Sequence, residues 1–329
     1  LGIIYSDGEC ITKDMNKAIH YFTLAANQNH PKAQYNLGVI YENGEYITQD
    51  INKAIYYYTL AANQNLSRAQ YNLGVIYSGE IYVTRYINKA IHYFTLAANQ
   101  NHSKAQFKLG LIYYKGEYIK RDINKAIYYF TLAANQNESN AQFNLGVIYY
   151  DGEFVTKDIN KAIHYYTHAA NQNVLYAQFN LGVIYADGKY VTRDINKAIH
   201  YFTLAANQKY SIAQYHLGIL YFEGKYVTRD INKAIHYFTL AANQNHPKAQ
   251  FILGFIYSDG KYITRDINKA IHYYTLAAKQ NHPIAQYNLG AIYDNGEYIK
   301  RDINKSIHYY TLAANQNDSN AQYNLGIIY

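Results

Sequence analysis

Apolar and polar residues along the chain follow two helical patterns that alternate and recur every 36 residues. In residues 67–102, Ala69, Leu73 and Tyr77 fall at i, i+4 and i+8, one stripe on a first helix, helix A. One repeat earlier, Ile51, Ala54, Ile55, Tyr58, Ala61 and Ala62 share a face of a second helix, helix B. A Leu-Gly pair marks the period, at Leu1-Gly2, Leu37-Gly38, Leu73-Gly74, Leu109-Gly110, Leu145-Gly146, Leu181-Gly182, Leu217-Gly218, Leu253-Gly254, Leu289-Gly290 and Leu325-Gly326. A fixed period of this size predicts a solenoid, because two helices alone cannot bury both stripes and each pair must lean on the next.

Local chemistry predicts the boundaries. Ser67, Ser103, Ser139, Ser211 and Ser319 are placed to cap helix A, and Pro31, Pro247 and Pro283 in the same column suit its first turn. Gly74 and its equivalents are expected to let a neighbouring backbone approach. A loop glycine such as Gly44 ends helix A, Asp50 stands at the N-cap of helix B, and Asn63-Gln64-Asn65 closes the unit through a left-handed Asn. The third unit departs from this: Gly79-Glu80-Ile81 shifts the loop glycine and Tyr86 replaces the cap Asp, so a frayed helix start at Ile87 and a weak point are expected.

The predicted fold class is all-α, a right-handed α/α superhelix (solenoid) of 36-residue helix-turn-helix units with a concave and a convex wall. One domain is expected over 1–329, with a partial repeat 1–30, complete repeats 31–66, 67–102, 103–138, 139–174, 175–210, 211–246, 247–282 and 283–318, and a partial repeat 319–329. The chain starts without Met inside one unit and stops at Tyr329 inside another, which reads as a fragment.

Composition adds three constraints. With 49% hydrophobic residues, 42 Tyr and no Trp, the packing is expected to be aromatic and partly polar, and buried tyrosine hydroxyls need partners. The single Cys10 cannot form an internal disulfide, which suits a cytoplasmic protein. There is no apolar run of about 18 residues and no charged-then-apolar leader, so no membrane span is expected. The net charge of +7 admits nucleic acid, anionic membrane or acidic protein as partner. Its cations lie mainly in two columns: Lys13, Arg85, Arg121, Lys157, Arg193, Arg229, Arg265 and Arg301, broken by Gln49, and Lys17, Lys53, Lys89, Lys125, Lys161, Lys197, Lys233, Lys269 and Lys305.

Ala33, Leu37, Gly38, Tyr41, Gly44, Ile47, Asp50, Lys53, Ala54, Tyr58, Ala61 and Ala62 together resemble the Sel-1-like repeat family, related to tetratricopeptide repeats, and the likeness recurs along all 329 residues. The resemblance implies an adaptor or scaffold in signalling that binds proteins through the solenoid surface, with no chemistry of its own. Some members carry a kinase or another catalytic domain on the same chain, so a regulatory repeat arm of a larger multidomain protein is an alternative. The chain departs from the family pattern at the second loop glycine, which is Tyr46 or an equivalent; at the terminal glycine, which is Asn; and at a lysine column that is Leu24, Leu60, Leu96, Leu132, Leu204, Leu240, Leu276 and Leu312. Cysteine-rich members pin each unit with a disulfide; with Cys10 alone, that branch is not supported.

Candidate chemistry is sparse. His20, His92, His164, His200, His236, His272 and His308 share a helix B column, but stacked helices lie about 8–10 Å apart and metal bonds span about 2 Å, so the copies cannot hold one ion together. His164 and His168 are an i, i+4 pair without a third ligand, expected to be solvated. No nucleophile–base pair, paired carboxylate, phosphate loop or dinucleotide fingerprint occurs, and the repeated Asp is explained as a cap. No enzyme activity, cofactor or metal is therefore expected. Basic columns interleaved with tyrosines raise an RNA- or polyanion-binding solenoid as an alternative, but the cations adjoin acids, so nucleic acid is not the expected partner. Four sequons, beginning at Asn65, Asn101, Asn137 and Asn317, coincide with turns and are read as structural. The most irregular stretch, His168, Val174, Leu175, Tyr176, Lys209, Tyr210, Ile212 and His216, is the candidate protein-docking surface, because columns that vary are released from packing. The Leu column is expected to pack onto the next repeat.

Overall fold

The computed structural model describes residues 14–79 and 86–329, so Cys10, Lys13, Glu80, Ile81 and Arg85 lie outside the described residues. These residues form helices joined by short loops, with no strand among them. Two compact units divide the chain, residues 1–172 and 173–329. The first unit contains α1 (Met15–Asn27), α2 (Pro31–Asn43), α3 (Ile51–Asn63), α4 (Ser67–Tyr77), α5 (Ile87–Asn99), α6 (Ser103–Lys115), α7 (Ile123–Ala134), α8 (Ser139–Asp151) and α9 (Ile159–Asn171). The second contains α10 (Leu175–Asp187), α11 (Ile195–Asn207), α12 (Ser211–Glu223), α13 (Ile231–Ala242), α14 (Pro247–Asp259), α15 (Ile267–Lys279), α16 (Pro283–Asn295), α17 (Ile303–Ala314) and α18 (Ser319–Ile328). Within each unit, every helix packs on the one before and the one after it, the solenoid arrangement expected of the repeats.

The second helix of each pair starts as predicted. Asp50 Oδ1 accepts the Lys53 backbone N–H at 3.0 Å, and Asp122, Asp158, Asp194, Asp230, Asp266 and Asp302 repeat the cap at 2.9–3.1 Å. Tyr86 offers no side-chain cap, yet α5 begins at Ile87 like its siblings, so the expected fraying is corrected. The Tyr86 N–H still reaches the Tyr77 carbonyl at 2.8 Å and its ring packs edge-on against Tyr77, which holds the chain in place without the carboxylate.

The first helices correct a second expectation. Ser67, Ser103, Ser139, Ser211 and Ser319 are the first helical residues rather than the caps; the cap position is one earlier, at Leu66, His102, Glu138, Tyr210 and Asp318. Where that residue is His, the imidazole serves: Nδ1 of His30, His102, His246 and His282 accepts an N–H three residues on, at 3.3–3.4 Å. The turn ahead of it is left-handed, with φ of 59–65° at Asn29, Asn65 and their equivalents and at Lys209, which replaces Asn once.

The Leu-Gly glycine makes room for a ring, not for a backbone. A Cβ on Gly218 would sit 2.5 Å from the Phe238 ring, and Gly38 faces the Tyr58 ring in the same way. Phe94, Phe130, Phe202, Phe238, Tyr58, Tyr166, Tyr274 and Tyr310 are the large buried side chains of their repeats. Where the ring is tyrosine, its hydroxyl finds a partner: Tyr58 donates to Glu42 Oε2 at 2.5 Å, Tyr274 lies 3.1 Å from Ser258 Oγ, and Tyr310 accepts from Asn324 Nδ2 at 3.0 Å. Burial first, then the Glu42 carboxylate, pushes the Tyr58 phenol above its ordinary value, and burial moves Tyr310 up to about 12. The Leu column stays outside the buried core: Leu24 and Leu240 are exposed and the other six are half-buried.

Two substitutions test this packing in opposite directions. Gly218→Ala gains helix propensity but forces the Phe238 ring aside, and is expected to destabilise the 173–329 unit by about 2 kcal/mol. Ser306 occupies a column that is otherwise Ala, fully buried, with its Oγ unbonded; Ser306→Ala is expected to stabilise by about 1 kcal/mol. Urea unfolding with local hydrogen exchange reads both, and a neutral Gly218→Ala would show that the ring slot is not tight.

Candidate interaction surface

The two basic columns prominent in the sequence are largely committed to the frame. Apart from Lys89, whose helix has Tyr86 at the cap position, the helix B lysines lie beside the Asp that caps their own helix, as with Lys197 and Asp194 at 3.5 Å, and most lie over a helix A tyrosine, as with Lys197 and Tyr185 at 5.0 Å. That tyrosine stacks in turn on a helix B tyrosine, Tyr185 on Tyr201 at 6.0 Å and Tyr41 on Tyr57 at 5.7 Å. The loop arginines reach the next loop: Arg193 sits 4.4 Å from the Tyr226 ring, Arg121 4.9 Å from Phe154, and Arg265 packs on Tyr298 and hydrogen-bonds its hydroxyl. Arg193 Nε also donates to the Ala186 carbonyl at the end of α10, at 2.9 Å. Gln49 does the same to the Glu42 carbonyl at 2.8 Å, so the column's shared task is to tie off helix A, which needs a donor rather than a charge.

The histidine column is exposed, each ring meeting the following tyrosine edge-on at 5.1–5.3 Å. His164 and His168 are both exposed with ring centroids 4.7 Å apart, and no group of three metal-ligating side chains forms among the described residues.

Of the predicted docking residues, His168 lies on α9 in the first unit and the rest lie in the second. Val174 and Leu175 are half-buried at the start of α10, and Lys209 occupies the left-handed turn before α12. Tyr210 is half-buried, edge-on to Phe179 at 5.2 Å and to Tyr176 at 5.8 Å. His216 stacks on Phe202 at 5.2 Å and lies 5.6 Å from Phe179. Burial, and then His246 and Lys248, hold His216 below the ordinary histidine value. The structure therefore divides the patch: Tyr210 and His216 belong to an aromatic chain with Phe179 and Phe202, while Tyr176 and Ile212 face solvent at 57% and 37% exposure. Both occupy the second position of helix A, an exposed column that reads Lys32, Arg68, Lys104, Asn140, Tyr176, Ile212, Lys248, Ile284 and Asn320. Ile284, at 49% exposure, belongs with them and was hidden in the sequence by its isolation from the irregular stretch.

The 36-residue helix pairs stacked within each unit define an α-solenoid of the tetratricopeptide-like class. The chain belongs to the Sel1 repeat family, which matches it over residues 1–30, 31–66, 67–102, 103–138, 139–174, 175–210, 211–246, 247–282, 283–318 and 319–329. Its fold is similar to c5321, a protective antigen present in uropathogenic Escherichia coli strains displaying an SLR fold, with 31% identity over 94% of this chain and 67% of that one and a TM-score of 0.86. A Sel1 repeat protein from Oxalobacter formigenes is 28% identical over 94% of this chain and 90% of that one, with a TM-score of 0.72. No curated protein matches the chain. No helix among the described residues is long and apolar enough to cross a membrane.

The capping histidines make stability depend on pH. Burial is the main cause holding His102, His246 and His282 below the ordinary value, helped by Lys104 and Arg68 at His102 and by Lys248 at the other two. An imidazolium cannot accept the N–H it caps, so the folded state takes up protons less readily than the unfolded chain. Stability is then full above the unfolded histidine value of about 6.5 and falls as pH drops below it. The caps Asp194, Asp266 and Asp302, each held low by the Lys backbone N–H it accepts, lose their contribution only below about pH 4. Urea midpoints are expected to fall between pH 7.5 and 5.5, and the His102→Asn, His246→Asn, His282→Asn, His216→Asn variant to flatten that slope; an unchanged slope would place the sensitivity elsewhere.

Proposed function

We propose that this protein is a non-catalytic adaptor that binds protein partners through the outward-facing, variable columns of its repeats. The observation that carries the reading is the presence of Tyr176, Ile212 and Ile284, exposed apolar side chains in a column that the remaining repeats fill with Lys, Arg or Asn. Apolar groups held at the surface by a packed frame suit a protein contact. Val174 and Leu175 would border that contact, Tyr210 and His216 would support it from beneath, and Lys209 would shape its edge; His168 is a separate exposed site. The Lys column, largely paired with capping Asp residues, and the loop Arg column, engaged with carbonyls and neighbouring rings, favour this reading over a polyanion-binding solenoid. A cytoplasmic setting, consistent with the lone Cys10, forms part of the proposal. So does the possibility that the repeats serve as an arm of a larger protein.

Affinity capture from the native cell, comparing the wild-type chain with Tyr176→Asn plus Ile212→Lys, tests it. Proteins retained by the wild type and lost from the variant, with circular dichroism unchanged, are the expected result. Recovery of identical protein sets, or recovery that disappears on nuclease treatment, would count against the adaptor reading.

A further inference from the structure

The same exposed column is basic in the first unit, where it reads Lys32, Arg68 and Lys104. These three cations differ from those of the two committed columns, for none of them is ion-paired among the described residues. Arg68 and Lys104 flank a groove of about 590 Å³ lined by Tyr35, Tyr71, Asn72, Asn101, His102 and Ser103. Equivalent hollows over the lysine column, such as the one at Arg193 and Lys197, include an Asp that already faces their lysine. The Arg68 groove has no carboxylate in its lining.

Its polar equipment is weighted towards donors. Arg68 and Lys104 only donate, and Asn72, Asn101 and Ser103 each carry a donor. His102 accepts the Ala105 N–H on Nδ1, which leaves its neutral ring the proton on Nε2. One of the groups is held in place before any ligand arrives: His102 is fixed by its cap bond to the Ala105 N–H and stacks on Tyr71 at 4.7 Å. Pre-positioned donors lower the ordering cost of binding an acceptor-rich ligand.

We infer that this groove binds an extended acidic segment of a protein partner, with side-chain carboxylates on Arg68 and Lys104 and the segment's backbone on the asparagine amides. This rests on the adaptor reading and gives it a second contact of different chemistry. Peptide fits better than nucleic acid for two reasons. His102 stacks on one face of Tyr71 and the Phe94 ring packs against it tilted at 5.8 Å, which limits its use as a stacking platform for a base. The stripe is also short: beyond Lys104 the column becomes Asn140 and the neighbouring cap becomes Glu138, whereas nucleic-acid affinity grows with the number of phosphates neutralised.

The test is fluorescence anisotropy with a labelled peptide of repeated Glu-Gly-Ser triplets, its Gln-Gly-Ser counterpart and a single-stranded oligothymidylate. Saturable binding of the glutamate peptide alone is expected, weakened about tenfold by Arg68→Ala or Lys104→Ala, abolished in the double variant and unchanged in Lys248→Ala. Arg68 and Lys104 are exposed, so circular dichroism should show each variant folded. No saturable binding, or equal binding by wild type and R68A/K104A, overturns the inference. Tighter binding of oligothymidylate that depends on Arg68 also overturns it, in favour of nucleic acid. Protein capture that depends on Tyr176 and Ile212 is read separately, so the adaptor reading can stand if this groove fails.

Discussion

The solenoid depends on a buried glutamine side chain whose two ends are satisfied by two different repeats. Gln106 is fully buried; its Nε2 donates to the Ala98 carbonyl of the preceding repeat at 3.2 Å, and its Oε1 accepts from Gln136 of its own repeat at 2.7 Å. Gln34, Gln70, Gln142, Gln214, Gln250 and Gln286 repeat both bonds. A buried amide left unpaired costs about 1–3 kcal/mol, so a slip or a missing neighbour is penalised at each of these junctions. Hydrophobic stripes attract neighbouring pairs without fixing their register; the glutamines fix it.

With the register set, the aromatic ring in the glycine slot determines how closely the two helices of a pair approach. Rings at this position alternate freely between Phe and Tyr because the hydroxyl, when present, is met by a side chain from helix A, Glu42 for Tyr58 and Ser258 for Tyr274. One six-membered ring fits the slot left by a missing Cβ, and a polar tip is tolerated where a partner stands ready.

Period, helix pairing, the Asp caps, the Pro first turns and the left-handed Asn were legible in the sequence because each is a local signal with one strong physical explanation. The histidine caps were not, since imidazole is an uncommon cap and Ser in the next column offered an easier reading. The glutamine pairs were hidden for the opposite reason: Gln70 and Gln100 recur in every complete repeat, but a bond between residues 30 apart leaves no trace in helical periodicity. Site residues fared unevenly. Irregularity picked out Tyr176 and Ile212, which are exposed, and also Tyr210 and His216, which pack among the rings of Phe179 and Phe202.

Variation alone therefore does not separate surface positions from packing positions in a repeat array; exposure has to be read beside it. The loop arginines and helix B lysines are exposed but nearly uniform, and their partners explain the uniformity: a carbonyl, a neighbouring ring or a capping Asp. The second position of helix A is both exposed and variable, running from Lys32, Arg68 and Lys104 to Tyr176 and Ile212 and then Ile284. A side chain there lies outside the glutamine pairs and the ring slots, so it can change without cost to the frame. The frame's rigidity is what makes such changes useful, because a residue carried on a fixed helix presents its charge or its apolar surface at a fixed place.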